Sequence, residues 1–110
     1  MKLPGGERAV VDIAKLRDYC LNHQHPRGRH KSRVFASALR LTSADADVLQ
    51  HALLQAARHG EARQGDRDDY GQRYVIDLKV NGPGGNASVR SSWIIPQGED
   101  FPRMTSCYVL

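Results

Sequence analysis

The stretch Gln72-Arg73-Tyr74-Val75-Ile76-Asp77-Leu78-Lys79-Val80-Asn81-Gly82-Pro83-Gly84-Gly85-Asn86-Ala87-Ser88-Val89-Arg90-Ser91-Ser92-Trp93-Ile94-Ile95 decides the fold. Tyr74, Ile76, Leu78 and Val80 alternate with Arg73, Val75, Asp77 and Lys79, the period-two pattern of a strand with one buried face. The run from Asn81 to Asn86 is dense in glycine and proline and signals a turn. Residues 87–95 read as the return strand, with Val89, Trp93 and Ile95 on one face. A symmetric turn puts Asp77 opposite Arg90 and Val75 opposite Ser92, so that Arg73, Asp77, Arg90 and Ser92 share the outward face.

Working outward, residues 96–102 form a loop and residues 103–110 a final strand. In that strand plain alternation groups Arg103, Thr105 and Cys107 on one face and Met104, Ser106 and Tyr108 on the other. Trp93 reads as core rather than as a platform for a base. Upstream, the polar run from Glu61 to Asp69 reads as a loop or a short edge strand. Before Gly60 the period is helical. Asp12 is an N-cap for a helix to Asn22 carrying Ile13, Leu16, Cys20 and Leu21. Pro26 and Gly28 mark a loop. A second helix runs from Lys31 to Leu39 with Val34, Phe35, Ala38 and Leu39 as its apolar stripe. Thr42-x-x-Asp45 resembles a capping box opening a third helix to about His59, with Val48, Leu49, Ala52, Leu53 and Ala56 inward. Gly60 closes it.

Helices first and strands afterwards predict an α+β domain: two to three N-terminal helices packed on one face of a three- to four-stranded antiparallel sheet. The other sheet face is then left open. The 110 residues suffice for one domain, 1–110, and one core. Aromatic residues are 6% of the chain, so that core is mainly aliphatic and encloses no large cavity. Sixteen Lys and Arg against twelve Asp and Glu leave +4, which favours an anionic partner such as nucleic acid. Two distant cysteines, Cys20 and Cys107, form neither a disulfide framework nor a zinc motif, and read as free thiols in a reducing compartment. Nothing resembles a membrane span or a signal peptide, so the expected location is cytoplasmic.

The densest chemical signal is His25-Pro26-Arg27-Gly28-Arg29-His30-Lys31-Ser32-Arg33: four fixed positive charges, two histidines and no acid. It straddles a helix start, where free amides and the positive dipole end bind phosphate. Arg27, Arg29 and Arg33 are therefore candidate phosphate contacts, and Arg103 joins them from the last strand. The bland alternative is a solvated basic loop. Lys31 shares a helix face with Phe35, and either snorkels along the core or points into a cleft between helix and sheet. His23, His25 and His30 imitate a metal site, but no carboxylate lies nearby, so no metal is expected. No cofactor motif is present.

Several segments resemble a known bacterial domain. They are Leu3-Pro-Gly-Gly6; Lys15-Leu16-x-x-Tyr19-x-Leu21-Asn22-x-x-His25-Pro26; Gly28-x-x-Lys31-x-x-Val34-Phe35; Tyr70-Gly71-Gln72-Arg73-Tyr74; Val89-Arg90-x-x-Trp93-Ile94; and Asp100-x-Pro102-Arg103-x-Thr105. The domain occurs beside small antitoxin-like genes and at the C-terminal ends of haemagglutinin-type polymorphic toxins. The resemblance spans nearly the whole chain. By analogy it leads to the RelE, barnase, EndoU and colicin ribonuclease superfamily, whose members place helices before a four-stranded antiparallel sheet and cut RNA without metal on the open sheet face. The chain lacks a barnase-type Glu–His pair on its strands and is closer to the RelE style, in which Lys, Arg and Tyr do the work.

The implied activity is a metal-independent ribonuclease toxin, in which an RNA 2′-hydroxyl attacks the adjacent phosphate. Lys31, Arg73 and Arg90 would stabilise the developing charge. His30 or Tyr108 would move the proton, and Thr105 would hold the phosphate or orient Tyr108. The implied partners are tRNA or mRNA, whether free or on the ribosome, and a cognate antitoxin or immunity protein of acidic character. The rival reading is a non-catalytic RNA- or protein-binding module, including an immunity-type partner. The nuclease reading requires the charges around Lys31 and those of the middle strands to meet at one phosphate.

Overall fold

The computed structural model describes residues 1–110. After a single 3-10 turn at Gly6–Arg8, helix α1 begins at Ile13–Lys15 and continues as a π-helical turn over Leu16–Cys20. Helix α2 spans Arg29–Leu39 and α3 spans Ala46–His59. Four strands follow: β1 (Ala62–Asp68), β2 (Gly71–Gly82), β3 (Gly85–Pro96) and β4 (Arg103–Val109). They form one antiparallel sheet in the order β1-β2-β3-β4. The expected α+β class is the observed one, with three helices and four strands. No helix is long and apolar enough to cross a membrane.

The expected register of the central hairpin is also the observed one. Asp77 pairs with Arg90 and Val75 with Ser92. Twelve pairs run without interruption from Gly71↔Pro96 to Gly82↔Gly85. Unbroken alternation sends Tyr74, Ile76, Val80, Val89 and Trp93 to the helix-covered face, where all are buried. There they meet Leu16 of α1, Phe35 and Leu39 of α2, and Leu49 and Leu53 of α3, each with no exposed surface. Trp93 is core, at 0% exposure. Its indole N–H donates to Ser91 Oγ at 2.9 Å, and Ser91 Oγ donates to the Ile76 carbonyl at 2.8 Å. This short relay satisfies the polar atoms that the core encloses. At the far end Gly71 has φ 147°, and a Cβ there would lie 2.1 Å from the Ile95 carbonyl, so only glycine allows the tight β1–β2 connection.

Five expectations need correction. The polar run after Gly60 is a full strand, β1; only its Ala62 is buried, so no alternation was there to mark it. The first helix widens into a π-turn, with the Leu21 amide reaching the Leu16 carbonyl at 2.9 Å, which lets Leu16, Cys20 and Leu21 all face inward. In α2 the buried line is Ser32, Phe35 and Leu39, while Val34 is 39% exposed. Val34 follows α2 about 100° away from Phe35, and Ser32 is tolerated inside because its hydroxyl donates to the Arg29 carbonyl at 2.8 Å. In α3, Val48 is exposed and Ala46 and Ala57 are buried instead. The capping box of that same helix does form between Thr42 and Asp45, and it opens a 3-10 turn at Ser43–Asp45 that leads into α3.

The fifth correction concerns β4. Ser92 pairs with Ser106 but Trp93 pairs with Met104, so Thr105 is an extra, bulged residue. The bulge reverses the alternation beyond it. Arg103, Ser106 and Tyr108 then oppose the outward residues Ile94, Ser92 and Arg90, while Met104 and Cys107 are buried.

Replacing Ser91 by Ala should strand the buried Trp93 N–H and cost about 1–3 kcal/mol. Urea unfolding of the Ser91→Ala variant, which keeps the fold, measures it; an unchanged midpoint would show that the relay carries no stability.

Candidate functional site

The outward sheet face carries a row of polar side chains that crosses all four strands. From β1, Arg63 Nη1 lies 3.4 Å from Asp77 Oδ2 on β2. Asp77 is gripped from β3 by Arg90, with Nε to Oδ1 at 2.8 Å and Nη2 to Oδ2 at 2.9 Å. This is the two-pronged geometry that arginine makes with a carboxylate. Arg90 pairs in turn with Tyr108 on β4. Over the Tyr108 ring, 4.9 Å from its centre, sits the ammonium of Lys31 from the first turn of α2. The row therefore reads Arg63, Asp77, Arg90, Tyr108, Lys31, with three cations to one carboxylate.

Hydrogen bonds from Arg90 hold the Asp77 carboxyl below the usual carboxylate range, and the charges of Arg90 and Arg63 add to this against partial burial. Asp77, and more weakly Tyr108, raise the affinity of the Arg90 guanidinium for its proton. Arg90 is thus a fixed, always-charged donor. About a third of its side chain remains open to solvent.

A second row lies farther along the same face. Arg73 pairs with Ile94, and Ile94 with Arg103. Arg73 is bound to Asp68 at 3.1 Å, and Arg103 to Glu99 at 2.9 Å with its guanidinium over the Phe101 ring. Arg73 and Asp77 are four residues apart on one strand, about 13 Å at the rise of an extended chain. The single convergence point required by the sequence reading is therefore divided. Lys31, Arg90 and Tyr108 come together; Arg73 and Arg103 stand apart, each answered by its own carboxylate. Thr105 lies between the rows at the bulge, exposed, with its carbonyl accepting from Lys15 Nζ at 3.3 Å.

The basic segment is organised by His25. Its Nδ1 accepts the amides of Arg27 at 3.1 Å and Gly28 at 3.2 Å, and its ring stands edge-on to Tyr19. That turn leads into α2, whose first turn no side chain caps. Arg27, Arg29, His30 and Arg33 are exposed. His30 projects about 100° around the helix from Lys31. Behind the row, on the helix-covered side, the buried thiols of Cys20 and Cys107 share a hydrogen bond. That bond, with Lys15 and Lys31 nearby, lowers the Cys20 thiol to about 7, while Cys107 is pushed up. Cys20 and Cys107 are each only 1% exposed, which keeps their thiols from acting as nucleophiles on a macromolecule.

Asp77, Arg63 and Lys15 went unrecognised as members of the site. The expected Asp77–Arg90 pairing was a sufficient signal for Asp77. Arg63 lay in the run read as a loop or a short edge strand, and Lys15 meets the bulge, which no sequence period announces.

The family model of a domain of unknown function, DUF6883, matches residues 2–110. No curated protein matches the chain. Among solved structures, a chain described as "Contact-dependent growth inhibition toxin - immunity protein complex from Klebsiella pneumoniae 342" is similar in fold, with 16% identity over 96% of each chain and a TM-score of 0.64.

Because the folded Asp77 carboxyl titrates below its unfolded value, its stabilising effect is complete above about pH 4. That effect is lost as the pH falls through the lowered value. Unfolding followed across this range should show wild type losing more stability on acidification than Asp77→Asn. Parallel curves would mean that the Arg90 clamp does not stabilise the fold.

Proposed function

The chain belongs to the DUF6883 family, and from that premise and the geometry of its outer face we propose that it is a toxin-type ribonuclease that cuts RNA without a metal ion. The reading is carried by one observation: Lys31, Arg90 and Tyr108 meet from a helix start and two strands on an open sheet face. The fold that this chain shares with a chain of a toxin–immunity complex agrees with the reading.

In the proposed reaction an RNA 2′-hydroxyl oxygen bonds to the adjacent phosphorus and the bond to the 5′-oxygen breaks. The products are a 2′,3′-cyclic phosphate and a 5′-hydroxyl. The proton given up by the first oxygen is returned to the second, so acid and base balance. Tyr108 is the group in the row that can carry it; His30, exposed on α2, contacts the RNA backbone with Arg27, Arg29 and Arg33. Lys31 and Arg90 face the phosphoryl oxygens as their charge grows. Thr105, at the bulge, orients Tyr108. Arg73 and Arg103, in the separate row, engage a neighbouring phosphate. An acidic antitoxin or immunity protein would cover this face in the cytoplasm and silence it.

One observation favours a second reading. Asp77 already occupies the fork of Arg90. A face whose arginine is so engaged also suits a module that binds RNA or a protein without cutting, including a chain that is itself of the immunity or antitoxin type.

Incubating the purified protein with total RNA in EDTA and mapping the cut ends separates the two. Cyclic-phosphate ends should appear, and Lys31→Ala, Arg90→Ala and Tyr108→Phe should each slow cutting by roughly 10²–10³-fold. Arg73→Ala should raise KM and leave kcat near wild type. Intact RNA with the folded wild type would overturn the nuclease reading.

A further inference from the structure

Strand β2 is longer than its outer neighbour. All twelve of its residues pair with β3, but β1 covers only Gly71 to Ile76. The half from Asp77 to Gly82 has β3 on one side and no strand on the other. The main-chain groups there that turn away from β3 have no backbone partner. The sheet's other borders are partly covered or bulged. On β4, Val10 bridges Arg103, and Lys15 covers the Thr105 carbonyl. The outer border of β1 is bulged between Gln64 and Arg67, and its residues from Arg63 to Asp68 are exposed on both faces. Such a strand is a poor template for another. The free half of β2 is regular and has a groove beside it. That groove, about 430 Å³, lies between α3 and the strand and is lined by Ala52, Gln55, Ala56, His59, Ile76 and Leu78.

We propose that the open Asp77–Gly82 border is a strand-addition site that takes one extended segment of a partner protein, its residues alternately small-apolar and acidic. The alternation follows from the pleat. Side chains of an added strand that point to the helix side enter the groove between Leu78 and the alanines of α3, where successive ones must share about 430 Å³, so small groups fit best. Those pointing outward stand beside Lys79, which is exposed, with Arg63 at the end of the line. Asp77 offers no net repulsion, because Arg90 and Arg63 already neutralise it. With a net charge of +4, the whole chain draws an acidic segment to this border. The border adjoins the first row at Asp77 and Arg63 but lies at the opposite edge of the sheet from Lys31 and Tyr108, and the proposal does not depend on the chain being a nuclease.

The test is selection of binders from a random peptide-display library on the folded wild-type chain, with the enriched peptide then synthesised. Its sequence should alternate small apolar and acidic residues. On binding, it should slow hydrogen exchange at amides between Asp77 and Asn81. The same peptide with alternate amides N-methylated should not bind. Lys79→Glu, a surface change, should weaken binding about fivefold or more. Ala52→Phe should abolish it, with circular dichroism confirming the fold. Enrichment of peptides lacking the alternation would overturn the proposal. So would full binding after N-methylation, or protection at another surface. Concentration-dependent dimers that protect this same border would show that its occupant is a second copy, which also overturns it.

Discussion

The uninterrupted pairing of β2 with β3 is the constraint from which the rest of the molecule follows. Each of its twelve pairs sends one set of side chains to the helices and the other to the open face. A slip of β2 by one residue against β3 would bury Asp77, expose Ile76 and part Asp77 from Arg90. The core therefore fixes the site. Trp93, Ile76 and Val89 cannot be inside unless the Asp77–Arg90 pair is outside. The Ser91 hydroxyl strengthens this choice, because a buried indole N–H and the Ile76 carbonyl are both satisfied by it only in this register.

The edge strand shows how a small irregularity supplies chemistry. Without the bulge at Thr105, simple alternation from the outward Arg103 would place Cys107 outside and Tyr108 among the helices. The extra residue exchanges them. Cys107 then joins Cys20 in the core, and Tyr108 reaches the open face beside Arg90 and under Lys31. Bulges commonly re-aim a side chain near functional sites. Here the same bulge presents a carbonyl to Lys15, so its conformation is held from α1.

This explains how far the sequence could be read. Wherever one face is dry and the other wet, the pattern was legible: the central hairpin, its register and Trp93 as core all came from the period of two and a symmetric turn. β1 was read only as a loop or a short edge strand because both its faces are wet beyond Ala62. The bulge escaped because it is a break in period within a seven-residue strand, and with it went the face of Tyr108. In α2 Phe35 and Leu39 were legible, but Val34 was read in place of Ser32, a serine that begins the buried line. The meeting of Lys31 with Tyr108 joins residues far apart in sequence, and only the packing of α2 against β3 and β4 produces it.

The charge balance of the first row bears on what can bind there. Lys31, Arg63 and Arg90 against Asp77 leave two net positive charges on one strip. A phosphodiester brings one negative charge in the ground state and approaches two as the attacking oxygen bonds to phosphorus. On the proposed nuclease reading, a strip of net charge two would match the second state better than the first, and such differential stabilisation would lower a barrier rather than merely tighten binding. Asp77 sets this balance in two ways. It offsets one of the cations, and it holds the Arg90 guanidinium in place, so that on the proposed reading little reorganisation would remain for a phosphate to impose. In the second row Arg73 and Arg103 each face a carboxylate of their own, which leaves those charges neutralised pairwise and suits them to positioning a chain rather than stabilising a reaction.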